Sequence, residues 1–417
     1  MPEHALTWSI AAIAAGGVVV RPFGWPEAVW ALAGAALLIL LGLMPASLAW
    51  SGALKGLDVY MFLAGMMLLS EVARREGLFD WIAAYATRHA RGSATRLFLL
   101  VYTVGIVVTV ILSNDATAVV LTPAVYAATQ AAGIHRPLPY LLICAFIANA
   151  ASFVLPISNP ANLVVFGGSH MPSLLSWLKL FLAPSIVAIV VTYAALRFYV
   201  RQDLIGKIAT AEQPGALSKC GKIAAAGIVL TSAGLIGASA FDLDLGAPTL
   251  VAGLLTAALV LVVDYKNPIA LVRNISWGVL PLVAGLFVLV EALNRTGVLA
   301  ALASELRLLA SSPGPGAILA GATIALASNL VNNLPAGLVA AGAIQQAAPP
   351  ATMTGALLIG VDLGPNLSVT GSLATILWLT ALRREGQAVS ALDFLKVGLV
   401  VMPPALILSL GALIFLS

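Results

Sequence analysis

Two stretches set polar and ionisable side chains inside otherwise apolar sequence. The first, Ser113 to Pro123, puts an amide and a carboxylate side by side as Asn114 and Asp115. The second, Ser328 to Pro335, carries Ser328, Asn329, Asn332 and Asn333. A charge in a hydrocarbon-length segment costs roughly 2.5–3.5 kcal/mol on insertion scales, so Asp115 is expected to have a task. After each stretch comes a polar break: Leu155 to Asn162, with Asn159, and Asp362 to Gly371, with Asn366. Proline removes a backbone donor and clashes with the preceding turn, so both breaks are expected to unwind. Unwound backbone and half-helix ends then offer carbonyls and N–H groups to a ligand at the membrane midplane. The chemistry is recognition and release of a cargo. Its expected contacts are Ser113, Asn114, Asn159, Asn162, Ser328, Asn329, Asn332, Asn333 and Asn366.

The same residues have plainer accounts. Ser, Asn and Asp cap helices, and a broken membrane helix needs caps whatever it does. For Asp115 and Asp362 capping explains less, because Asn or Ser would cap without an ionisation cost. Glu71 and Glu291 each stand four residues before an arginine, where a helical ion pair is the simple reading. No His-Glu-x-x-His motif occurs, and His4, His89, His135 and His170 are scattered towards loops. The nearest approach to a phosphate-binding loop, Gly215 to Lys222, has one residue too many and puts Ile223 where Ser or Thr belongs. No cofactor, metal or nucleotide site is expected.

The elements that must position these residues are membrane helices. Of 417 residues, 61% are hydrophobic and 9% charged, against about 25% charged in soluble chains. Spans are expected near 6–20, 25–44, 57–73, 140–166, 177–200, 221–240, 247–264, 273–293, 351–379 and 392–416. The regions 97–131 and 316–348 are apolar but interrupted at their Ser-Asn pairs, and read as re-entrant hairpins. The first apolar run lacks a basic leader and is taken as a mature helix. Cys144 and Cys220 suggest neither a disulfide nor a metal cluster. The net charge of +4 reports topology rather than nucleic acid. With Arg74, Arg75, Arg88, Arg91 and Arg96 in the cytoplasm, only Lys55, Lys179, Arg295 and Arg307 of 21 basic residues fall outside, as do both chain ends.

The halves repeat. Gly65, Glu71, Arg75 and Gly77 recur as Gly285, Glu291, Arg295 and Gly297, an offset of 220 (71 to 291). The Ser-Asn pairs recur at 215 (113 to 328). The fold class is therefore an all-α polytopic membrane protein with two inverted-topology repeats of about five transmembrane helices each. Two re-entrant hairpins and two broken helices meet at its centre. The repeats are 1–202 and 221–417, joined by a cytoplasmic linker, 203–220, that carries Asp203, Lys207, Glu212, Pro214 and Lys219.

Three blocks together resemble the ArsB-type arsenite efflux permeases of the ion transporter superfamily. They are Ser113-Asn114-Asp115-Ala116 with Leu121-Thr122-Pro123, Ser328 to Pro335, and Ile359 to Trp378. The likeness runs from about residue 20 to the end. It departs at Asn366, where many relatives are expected to carry a lysine beside the Asp362 block. The resemblance implies export of arsenite and antimonite, giving arsenic resistance, across a bacterial or archaeal cytoplasmic membrane. Energy would come from proton exchange or from a soluble arsenite-stimulated ATPase subunit. Arsenite at neutral pH is an uncharged trihydroxide, so Asn, Ser and Thr side chains with free carbonyls suit it. Asp115, and after it Asp362, is the expected proton carrier. Within the superfamily the rivals are a sodium-coupled carboxylate carrier, expected to show Ser-Asn-Thr at both tips, and a sodium/proton antiporter. A passive channel would need a continuous polar path, and an intramembrane enzyme a nucleophile–base or metal set.

Overall fold

The computed structural model describes residues 2–166, 171–209, 215–264 and 267–416. His170, Glu212, Pro214 and Lys266 lie outside the described residues. The first half runs α1 (Pro2–Val20), α2 (Glu27–Leu40), α3 (Ala46–Leu54), α4 (Leu57–Arg75), α5 (Leu78–His89) and α6 (Ala94–Ile111). Then α7 (Asn114–Ala116) continues through a π-helical turn, Thr117–Leu121, into α8 (Thr122–Ala131). It closes with α9 (Leu138–Ala150), α10 (Pro160–Phe166) and α11 (Leu174–Tyr199). The second half repeats the order as α12 (Lys219–Ala240), α13 (Gly246–Asp264), α14 (Pro268–Asn274), α15 (Val279–Arg295) and α16 (Val298–Ala310). It continues with α17 (Pro313–Val331), α18 (Asn333–Ala347), α19 (Ala351–Leu363), α20 (Leu373–Arg384) and α21 (Ala391–Leu416). Among the described residues the structure is all-helical, with one isolated bridge, Ser93 to Lys207.

Among the described residues six helices are long and apolar enough to cross a membrane, eight if the bent pairs α3–α4 (50°) and α14–α15 (43°) each form one span. Both bends fall at the same place in the repeat. Helices α5 and α16 were not expected from hydropathy. They are short and amphipathic, with one apolar face packed inward, and sit at matching positions as Gly77 and Gly297 turn the chain in the left-handed region, φ 70° and 82°. The expected spans 140–166 and 351–379 are both broken, at 151–159 and 364–372. The interrupted regions are helix–break–helix elements. Their first arms, α6 and α17, have 18 and 19 residues and are themselves of crossing length.

The halves interlock by exchanging a helix. α13 packs along α4, and α2 packs along α15. Glycine permits the approach: a Cβ on Gly65 would stand 2.3 Å from the Thr249 carbonyl oxygen, and one on Gly253 2.7 Å from that of Gly65. At the repeat-related crossing a Cβ on Gly285 would meet the Ala31 backbone at 2.8 Å. Small residues at helix crossings are how membrane helices gain contact without a hydrophobic drive between them. The long helices α11 and α21 pack on each other across the same pseudo-twofold.

The two Glu–Arg pairs expected within helices form differently. Glu71 takes Arg74, not Arg75, with Nε and Nη2 donating at 2.7 and 2.6 Å. At the matching position of the second repeat stands Asn294, so Glu291 is paired instead by Lys55, 2.6 Å away from the α3–α4 bend. The linker residue Asp203 pairs with Arg136 at 3.2 Å, joining the end of α11 to the start of α9.

Candidate functional site

At the first tip α6 ends at Ile111, and Ser113 is extended, its hydroxyl accepting from the Ala116 N–H at 3.2 Å to start α7. Ending a helix frees carbonyls that must be satisfied. Ser158 Oγ donates to Val110 O at 3.1 Å and Ser232 Oγ to Ile111 O at 2.7 Å. A Thr109–Thr117 hydroxyl pair at 2.8 Å closes the tip. Asn114 Oδ1 accepts from the Asp115 N–H at 2.9 Å. The Asp115 carboxylate accepts no hydrogen bond among the described residues, and faces cavity on both sides.

At the second tip the turn comes later than the Ser-Asn dipeptide predicts. Ser328 and Asn329 lie inside α17. Ser328 Oγ donates back to Ile324 O at 2.9 Å. Asn329 Nδ2 donates to Ala325 O at 2.8 Å and Gly364 O at 2.9 Å, while its Oδ1 accepts from Ser368 Oγ at 2.7 Å. The residue that caps the next helix is Asn332, at φ 75°, whose Oδ1 accepts from the Leu334 N–H at 3.3 Å. The repeat partner of Ser113-Asn114-Asp115 is therefore Asn332-Asn333-Leu334. That offset, 219 (114 to 333), lies within one residue of the 220 of the Gly–Glu–Arg block and not at the 215 of the Ser-Asn match. Asn333 N–H donates to Gly371 O at 2.8 Å, and its buried Oδ1 has no partner among the described residues.

The two breaks are tied to each other across the centre. Asp362 is fully buried, with Oδ2 accepting from Ser152 Oγ at 2.6 Å and Oδ1 from Asn159 Nδ2 at 2.8 Å. Asn149, one repeat earlier, donates to Asn366 Oδ1 at 3.0 Å and Thr375 Oγ1 at 3.4 Å. Asn366 Nδ2 donates to Phe146 O at 3.1 Å. Asn162 Nδ2 gathers the carbonyls of Ser152, Leu155 and Pro156 at 2.9, 3.2 and 3.2 Å. Asn332 Nδ2 donates to Thr370 O at 3.1 Å.

Of the residues singled out from sequence, Asn114, Asp115, Asn159 and Asn333 line one central pocket, together with Leu63, Pro160, Val279, Leu334, Leu373 and Ala374. Ser113 lines the adjoining cavity of about 70 Å³, which Asp115 shares. Asn162, Ser328, Asn329, Asn332, Asn366 and Asp362 line neither; their side chains bond to the surrounding backbone and broken helices instead. Sequence reasoning missed Ser70, Asn274 and Ser276, which line the adjoining cavity. The Asn274–Ser276 interruption before α15 was the available signal.

Among the described residues, one vestibule adjoins the route to the centre. The 70 Å³ cavity shares Glu71, Val119, Asn274, Ser276 and Leu377 with a vestibule of about 610 Å³ that Arg74, Arg273 and Arg384 also line. At the repeat-related place a second vestibule, about 320 Å³, is lined by Lys55, Glu291, Asn294 and Leu338, and no residue of its lining reaches the central pocket. Away from the centre, Glu76, Cys220 and Asp264 bring one potential ligand atom each within 4.8 Å of one another, an assembly the cysteine spacing did not suggest.

Interlocked helical halves around a polar centre define a multi-pass membrane transporter. The chain matches the citrate transporter family, CitMHS, over residues 11–382 and belongs to it. It is 28% identical over 364 residues to the arsenical pump membrane protein of Escherichia coli K12, covering 84% of each chain. The Yersinia enterocolitica arsenical pump membrane protein is 27% identical over 361 residues, again 84% of each. Among solved structures, the YdaH transporter of Alcanivorax borkumensis superposes with a TM-score of 0.56 at 17% identity, covering 89% of this chain and 86% of that one. That likeness concerns the fold alone.

Proposed function

We propose that the protein exports the trivalent metalloids As(OH)₃ and Sb(OH)₃ across the cytoplasmic membrane in exchange for protons, by alternating access. The observation that carries this reading is the Asp115 carboxylate, unpartnered among the described residues, at the junction of cavity and central pocket, in a lining it shares with Asn333, whose Oδ1 is also unpartnered. A trihydroxide brings three O–H donors. The carboxylate and the Asn333 oxygen are acceptors for them, and the Asn114 amide is a donor for a cargo oxygen. Protonating Asp115 turns an acceptor into a donor. Cargo and proton then exclude each other at the same oxygens, which is the condition for exchange. Asp362, with both oxygens engaged, we assign to holding the breaks together.

The repeats 1–202 and 221–417 rock about this centre, the 203–220 linker lies in the cytosol, and both chain ends lie outside. The arginine-lined vestibule is then the cytosolic entrance, and the Lys55–Glu291 vestibule the exit. The arsenical pumps among the relatives support the cargo class.

A second reading has one observation in its favour. Asn114, Pro160, Asn333 and Leu373, the first residues of α7, α10, α18 and α20, all line the central pocket. Helix N-termini favour anionic oxygens, which would suit a sodium-coupled carboxylate carrier. An ionised Asp115 among them disfavours an anion.

Arsenite uptake into everted vesicles with an acid interior and no ATP tests both. Accumulation that a protonophore abolishes and sodium does not affect is the expected result. Uptake only with ATP would assign energy coupling to an ATPase subunit. Uptake restored only by sodium would favour the carboxylate or sodium/proton reading.

A further inference from the structure

We infer that the arginine-lined vestibule is a binding site for a phosphate-type oxyanion, separate from the central pocket. Three arginines from three elements meet there: Arg74 from the end of α4, Arg273 from α14 and Arg384 from the last turn of α20. Arg74 is held by Glu71. Arg273 and Arg384 form no ion pair or hydrogen bond among the described residues, so their donors are free for a ligand.

The turn that follows Arg273 is closed by hydrogen bonds. Trp277 Nε1 donates to Val272 O at 2.7 Å and Trp277 N–H to Ile275 O at 2.9 Å, which sets Asn274 and Ser276 on the cavity wall. Guanidinium forks are a recurrent means of holding phosphate oxygens. Glu385 lines the same cavity, which leaves three cations against two carboxylates.

The second vestibule supplies an internal control. There the single cation, Lys55, is neutralised by Glu291, and Asn294 stands where the first repeat has Arg74. The tendency of basic residues to stay on one membrane face explains why arginines are on that side. It does not explain their convergence on the cavity that leads to Asp115. An excess of positive charge on a cavity wall concentrates anionic counter-ions. An oxyanion seated there stands across the path to the centre and slows cargo entry from that face.

The test uses the purified full chain and inorganic phosphate, followed by titration calorimetry at constant ionic strength. Saturable binding is expected, weakened at least tenfold in Arg273→Gln/Arg384→Gln and unchanged in Lys55→Gln. Sulfate should compete, and chloride should not. Repeating the titration in phosphatidylcholine vesicles with and without phosphatidylglycerol distinguishes the source. Loss of phosphate binding with the anionic lipid identifies a lipid headgroup as occupant, and unchanged binding identifies the free ion; either fulfils the proposal. Equal phosphate binding by wild type and the double variant, or displacement by chloride at equal concentration, overturns it. Thermal unfolding of each variant separates loss of the site from loss of fold. Because binding is read directly, the result stands whether or not arsenite is the cargo.

Discussion

At one tip of the molecule the chain presents Ser113, Asn114 and Asp115; at the other, Asn332, Asn333 and Leu334. Both tips use an extended or left-handed capping residue, both start a helix at an asparagine, and both asparagines face the same pocket. The next side chain differs: a carboxylate in one half, a leucine in the other. The duplicated scaffold supplies symmetry for switching between two faces. The titratable group is where that symmetry is broken. A buried polar atom without a partner is costly; Asn149 Oδ1, Asn162 Oδ1 and Asn333 Oδ1 are such atoms. Of these three residues Asn333 lines the central pocket, as does Asp115, whose carboxylate accepts no hydrogen bond among the described residues. Under the proposed function, the contrast separates residues that hold the site from residues that would meet the cargo.

Removing the asymmetry should have the largest effect. Asp115→Asn takes away a charge-assisted acceptor worth about 1.5–3 kcal/mol, so cargo affinity in vesicle uptake should fall roughly ten- to hundredfold and its dependence on the pH gradient should vanish. Full proton-driven uptake by this variant would refute the exchange mechanism. Asp362→Asn should act on stability instead. The new amide turns a donor towards Ser152 or Asn159, at a cost of about 1–3 kcal/mol, read as a lower melting temperature in detergent. Transport per folded molecule should keep its pH profile; a shifted profile with an unaltered melting temperature would return Asp362 to proton coupling.

The second tip offers a finer contrast. Asn329→Ala removes the acceptor for Ser368 Oγ and the side-chain donor to Gly364 O and should lower the melting temperature, again by about 1–3 kcal/mol of stability. Asn333→Ala leaves the melting temperature unchanged and raises KM severalfold, since its Oδ1 has no partner among the described residues. If the two variants behaved alike, the division between holding and binding would fail. Ser328→Ala should do least, within about 0.5 kcal/mol, because its hydroxyl only bonds back to its own helix.

Much of this was legible in the chain. Apolar runs and sparse charge dictate a multi-pass helical protein, and the Gly–Glu–Arg–Gly blocks at one offset reveal the duplication. Prolines 156, 160 and 365 mark the breaks, because a missing donor is a local fact. Asp115 stands out by its cost alone. Other features were not legible. The Ser113-Asn114 and Ser328-Asn329 dipeptides are identical in sequence, yet one caps a tip and the other lies a turn inside α17. Local composition does not say where a helix stops when both arms are apolar, and only contact with the 364–371 segment places the turn at Asn332. The pairing of Glu291 with Lys55 depends likewise on the α3–α4 bend, which hydropathy does not encode.

By itself, then, the sequence determined the membrane class, the repeat and the presence of a costly carboxylate, because each follows from composition or periodicity along the chain. The tertiary structure decided which polar groups are consumed by one another and which are left facing a cavity. That depends on hydrogen bonds spanning some 200 residues, such as Asn159 to Asp362, and no local pattern can specify a partner so far away.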